Sequence, residues 1–147
     1  MSSEKPTYKI LVAEDDATNQ YVFRAILKSA DLDPVLVENG LLALERARAE
    51  KPDIFLLDMM MPVMDGYETA WRIVQDPLFD GIPIIALTAR AMQGDAERTL
   101  QAGCDDYLAK PISRQEFLDK VLYWLKRDPA EWMPRRLAMR VPERDIA

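Results

Sequence analysis

The sequence predicts a doubly wound α/β domain, a five-stranded parallel sheet with five helices on its two faces. Three observations predict it. Short apolar runs near 8–13, 34–37, 53–57, 83–87 and 106–109 alternate with stretches of helical period. Four of these runs are almost unbroken in apolar character, as parallel strands covered on both faces must be. Four of the five also end on chemistry: Ile10-Leu11-Val12-Ala13 runs into Glu14-Asp15-Asp16, Ile54-Phe55-Leu56-Leu57 into Asp58, Ile84-Ile85-Ala86-Leu87 into Thr88, and Tyr107-Leu108-Ala109 into Lys110-Pro111. Strands alternating with helices imply right-handed crossovers and three layers. Ligands of such sheets bind outside the carboxyl ends of the strands.

The helices follow in order. Val22, Phe23, Ile26, Leu27 and Ala30 mark one face of the first. Leu41, Leu44 and Ala47 mark the second, and Ala70, Trp71, Ile73 and Val74 the third. The fourth, over 91–102, has a thin stripe of Met92, Ala96, Thr99 and Leu100, with Gly94 in its first turn. Glycine there lowers helix propensity by about 1 kcal/mol relative to alanine, so this helix is the candidate for movement. Phe117, Leu118, Val121, Leu122 and Leu125 mark the fifth. Asp16, Asn39, Asp65 and Ser113 are suited to N-caps, Ser113 with Glu116 spells a capping box, and Gly103 fits a C-cap. The domain is expected to occupy 1–127. Residues 128–147 hold three prolines and no sustained period, and are expected to form a partly ordered tail or linker. Trp132, Met133, Leu137 and Met139 are its candidates for packing onto the domain or a partner.

Composition removes several function classes. The length of 147 residues suits one domain. No apolar run approaches the roughly 18 residues of a membrane span, and the N-terminal residues lack an apolar signal core. A cytoplasmic location is expected. Cys104 is the only cysteine, so no intrachain disulfide forms. The net charge of −6 argues against nonspecific nucleic-acid binding by this domain. The chain has no histidine. It therefore lacks the commonest general base and zinc ligand, and it cannot itself carry a phosphohistidine.

What remains is carboxylate, hydroxyl and lysine chemistry. Glu14, Asp15 and Asp58 at adjacent strand ends repel one another, a conflict that a cation relieves. All-oxygen ligands favour a hard ion, and few protein ligands favour Mg²⁺ over Ca²⁺. Lys110, kept extended by the following proline, can reach across the crevice to a carboxylate or a phosphoryl oxygen. Thr88 can donate its hydroxyl to an oxyanion. Together they describe phosphoryl transfer with Asp58 as nucleophile, in which positioning and electrostatics dominate.

Glu14-Asp15, Asp58-x-x-Met61-Pro62 with Asp65-Gly66, Thr88-Ala89, and Tyr107 three residues before Lys110-Pro111 resemble the receiver domain of bacterial two-component response regulators. Order and spacing match from about residue 8 to 127. Asn19-Gln20 and the stretch from Ile82-Pro83 to Ile112-Ser113 are most similar to single-domain cell-cycle regulators and to receivers of hybrid histidine kinases. The resemblance implies a flavodoxin-like sheet in the order 2-1-3-4-5. It implies Asp58 as phosphoacceptor, Asp15 as direct Mg²⁺ ligand, Glu14 acting through water, and the Met60 carbonyl completing the metal site. Thr88 and Lys110 would bind the phosphoryl group, and Tyr107 would be the aromatic switch. Asp16 departs from the pattern, where asparagine is common.

The expected function is a phosphorylation-activated switch. Its expected partners are a histidine kinase or histidine phosphotransfer protein and a downstream protein target, with neither nucleic acid nor membrane. Met60 and Arg90, two residues beyond Asp58 and Thr88, are expected to tune the lifetime of the phosphoryl group. A haloacid-dehalogenase-like phosphatase also uses an aspartyl phosphate and Mg²⁺. It needs its nucleophile on the first strand in a register that Glu14-Asp15-Asp16-Ala17-Thr18 does not supply. A flavodoxin-like electron carrier would meet an acidic pocket where the flavin phosphate should sit.

Overall fold

The computed structural model describes residues 7–89 and 94–141. Five strands, β1 (Lys9–Ala13), β2 (Asp33–Val37), β3 (Ile54–Asp58), β4 (Ile84–Thr88) and β5 (Asp106–Ala109), form one parallel sheet in the order β2-β1-β3-β4-β5. Between them lie α1 (Ala17–Ser29), α2 (Gly40–Ala49), α3 (Gly66–Gln75) and α4 (Asp95–Ala102), followed by α5 (Arg114–Lys126). The central strands β3 and β4 are buried at every position, whereas the edge strand β2 is largely half-exposed. Successive strand residues point to opposite faces, and the core divides accordingly. Leu11, Phe55, Leu57, Ile84 and Ala86 pack with α2 and α3. Ile10, Val12, Ile54, Leu56, Ile85 and Leu87 pack with α1 and α5, where Phe23 stacks on Phe117.

All four expected N-caps form. The side chains of Asp16, Asn39, Asp65 and Ser113 accept from the backbone N–H groups of Asn19, Leu42, Glu68 and Glu116. Gly103 ends α4 at φ 115, a left-handed conformation that a side chain resists.

Three expectations need correction. Val22, Leu41 and Trp71, read as core-facing, are exposed. The helices touch the sheet along narrower stripes that include Gly40, Ala43 and Thr69. The helix α4 starts at Asp95; Gly94 is its cap at φ 101 and lies outside the first turn. Met92 and the start expected at 91 lie outside the described residues. There are six α-helices among the described residues rather than five. A 3-10 turn over Pro129–Glu131 leads into α6 (Met133–Ala138). The segment lies against the body of the domain: Trp132 is buried beside Trp124, and the Arg136 guanidinium is fully buried.

Candidate functional site

The register brings the chemistry together. Ala13 pairs with Leu57, so Glu14 and Asp58 leave neighbouring strands side by side. Asp58 lies beside Leu87, and Thr88 beside Ala109, so Thr88 and Lys110 follow on the next two strands. Glu14 is almost wholly buried, 1% exposed, and Asp58 is 6% exposed, while Asp15 is open to solvent.

Each oxygen of the two buried carboxylates is held. Lys110 Nζ donates to Glu14 Oε1 at 3.0 Å and to Asp58 Oδ2 at 3.2 Å. The Asp16 N–H donates to Glu14 Oε2 at 3.1 Å, and the Met60 N–H to Asp58 Oδ1 at 3.1 Å. Burial works against the charge on Lys110. The hydrogen bond to Glu14 and the attraction of Asp58 outweigh it, so the lysine pKa rises above its usual 10.5. Glu14, Asp15 and Asp58 can each offer one oxygen, all within 4.8 Å of one another. Three carboxylates and one ammonium leave the cluster with a net charge of −2. A divalent ion that prefers oxygen fits both the donor set and the charge deficit.

The surrounding backbone is fixed by small and polar groups. Gln20 Nε2 donates to the Glu14 carbonyl at 2.6 Å and reaches the Val37 carbonyl at 3.4 Å, tying α1 to the tips of β1 and β2. Sequence patterning noted Gln20 but gave it no role, because an amide on a helix shows no target until the strands are placed. Gly66 lies against the end of β3. A Cβ there would sit 2.5 Å from the Asp58 carbonyl and 2.4 Å from Met59 Cε. The Lys110 N–H donates to the Thr88 carbonyl at 2.7 Å, and the Lys110-Pro111 peptide is cis.

Thr88 is buried at the tip of β4. With Met59, Met60, Tyr67, Ala89, Asp95 and Arg98 it lines a cleft of about 180 Å³. Arg98 of α4 lies over the Tyr67 ring of α3, 4.8 Å from its centroid. Tyr107 is half-buried two residues back from the site edge, with the Lys120 ammonium 5.8 Å from its ring centroid. Met60 is exposed beside the carboxylates. Arg90 lies outside the described residues.

Residues 10–122 match the response regulator receiver domain family. The chain belongs to this family. The receiver is 36% identical to the polar-differentiation response regulator DivK of Brucella anthropi over 116 residues, 79% of this chain and 94% of that one. Among solved structures it superposes on a putative response regulator from Chloroflexus aurantiacus with a TM-score of 0.80 and 31% identity, covering 83% of this chain and all of the other. It also superposes on the receiver domain of a sensor histidine kinase from Pseudomonas aeruginosa, with a TM-score of 0.77, 40% identity and the same coverage. That structure carries a magnesium ion in its active-site cleft. Receivers are signalling switches, and the flavodoxin-like order of the sheet agrees with the family. No helix among the described residues is long and apolar enough to cross a membrane.

Proposed function

We propose that this receiver accepts a phosphoryl group on Asp58 from a phosphohistidine of a histidine kinase or histidine phosphotransfer protein. One observation carries the proposal: a buried carboxylate at a strand tip shares a lysine with a second buried acid, inside a cluster short of two positive charges. In the transfer, an Asp58 oxygen attacks phosphorus, the P–N bond of the donor breaks, and its electron pair returns to the imidazole. Asp15, Asp58 and the Met60 carbonyl would hold Mg²⁺, with Glu14 acting through water. The ion would offset charge on the phosphoryl oxygens. Lys110 is already beside Asp58 and supplies a second positive contact to the same oxygens. Thr88 donates to the attached group, and its displacement frees space for Tyr107. Met60 offers no base to activate water, so hydrolysis is slow and transfer back to a phosphohistidine competes with it. Output is by contact with a downstream protein, in the cytoplasm.

The test is labelling with acetyl phosphate and Mg²⁺. Wild type should take up one acid-stable, hydroxylamine-sensitive phosphoryl group. Asp58→Asn should take up none, and Asp15→Asn should lose Mg²⁺-dependent labelling while keeping its fold. Undiminished label in Asp58→Asn would remove the acceptor assignment.

A further inference from the structure

Residues 128–141 lie beyond the stretch that matches the family, and they close over the pole of the sheet opposite Asp58. Their contacts go to the far ends of α3, α4 and α5 and to the segments that lead into β4 and β5. Arg135 donates to the carbonyls of Leu100 and Cys104, at 2.6 and 3.3 Å, at the C-terminal end of α4. Arg136 donates to the carbonyls of Phe79 and Ile82 and to Asp105, the residue that precedes β5. Trp132 packs edge-on against Trp124 of α5, 6.0 Å between centroids. Arg140 holds the Val74 carbonyl and Asp80, and Gln75 bonds to Met139 and Val141.

The two ends of α4 are therefore unequal. Its N-terminal end, toward Thr88, has a glycine cap with no side-chain hydrogen bond and, among the described residues, the contact of Arg98 with the Tyr67 ring. Its C-terminal end has a left-handed glycine, a buried Thr99 and the Arg135 guanidinium on its last carbonyls. An element held more firmly at one end than at the other turns about the firmer end. We propose that residues 128–141 are an intramolecular strap that fixes the far end of α4, so that the phosphorylation switch moves this helix as a pivot about Gly103. The pivot rests on Asp58 being the acceptor; the anchoring does not.

Arg135→Gln tests it, because Arg135 is exposed and its loss leaves the core filled. The Gly103 and Cys104 amides donate to Leu100 and Thr99 in the structure the strap braces. Their hydrogen exchange should quicken about tenfold in Arg135→Gln, the loss of one charge-assisted hydrogen bond, with thermal unfolding little changed. On adding beryllofluoride and Mg²⁺ to the full chain, wild-type amide shifts should be large at 95–98 and small at 99–104. In Arg135→Gln they should extend to 99–104. Unchanged exchange at Gly103 and Cys104 would overturn the anchoring. Equal wild-type shifts along the whole helix would overturn the pivot. Absence of any shift around Asp58 would overturn the acceptor assignment and the pivot together, while the exchange rates still decide the anchoring.

Discussion

Lys110 sets the charge balance of the site, and its titration has a definite sign. Its folded pKa is raised above the unfolded 10.5, by Glu14 and Asp58 against the opposing effect of burial. A raised ammonium pKa contributes stability that is complete below 10.5 and is lost as pH rises through the folded value. Lys110→Met leaves Glu14 and Asp58 facing each other without their shared cation. Losing one partner of a buried pair costs roughly 3–5 kcal/mol, and a lysine still a quarter exposed should cost about 2. Stabilities from urea unfolding of wild type and variant should differ by that amount at pH 8 and converge as pH rises through the folded Lys110 pKa. Added Mg²⁺ should narrow the gap at pH 8. A gap that stays constant with pH would mean that packing, not charge, links Lys110 to the acids. Met60 acts on the next step. Its side chain is open to solvent and apolar, while its N–H holds Asp58. Met60→Asn places an amide able to orient water there, so the acyl phosphate should hydrolyse severalfold faster; an equal half-life would remove Met60 from control of the lifetime.

At the scale of elements, legibility in the sequence followed the physics of burial. The central strands were readable because burial on both faces leaves only apolar residues between two polar ends, as from Ile54 to Asp58 and from Ile84 to Thr88. The caps were readable because Asp16, Asn39, Asp65 and Ser113 act locally. Helix faces were readable only to within a residue. Val22, Leu41 and Trp71 continue the period but stand just off the line of contact, which is taken by small residues such as Gly40 and Ala43. The carboxylates, Thr88 and Lys110 could be placed at strand tips from sequence, whereas the sharing of one lysine by Glu14 and Asp58 needs the register. The loop after β3 shows the same dependence on fit. Gly66 has no room for a side chain beside Asp58 and Met59. Gly66→Ala should push this loop outward, costing about 1–3 kcal/mol by overpacking and weakening Mg²⁺-dependent labelling more than the stability loss explains. Full labelling at saturating Mg²⁺ with an unchanged metal midpoint would show that the loop's position is immaterial to the site.

Across the whole molecule, the site and the strap occupy opposite poles of one sheet, and each holds a buried acid against a cation. The packing of Trp132, Met133 and Met139 onto the domain was legible in sequence, while Leu137 stays exposed; the arginine attachments were not, because they meet backbone carbonyls and leave no apolar period. Its central pair is Arg136 with Asp105, 2.8 Å apart and almost entirely buried. Burial pushes the Asp105 carboxyl up, and Arg136 and the Ile84 N–H pull it only partly back. The sign is therefore opposite to that of an exposed salt bridge. With the folded pKa raised above the unfolded 3.8, the cost of burying this charge is absent at low pH. It appears as pH rises from 3.8 through the folded value. Arg136→Met keeps the hydrophobic bulk against Trp132 but leaves Asp105 without its cation, removes the Arg136 donor from the Ile82 carbonyl, and leaves the Phe79 carbonyl only the Ile82 N–H. Stability at pH 7.5 should fall by about 3–5 kcal/mol, and by clearly less at pH 4.5, where the variant can bury Asp105 protonated. Adding Asp105→Asn to Arg136→Met should recover part of the neutral-pH loss and abolish its pH dependence. The comparison is of urea midpoints for the two variants against wild type at both pH values, so that titration of the other carboxylates cancels. A loss of equal size at pH 4.5 and 7.5 would mean that Arg136 holds the strap through the carbonyls alone, and that Asp105 is paired with it by position rather than by charge.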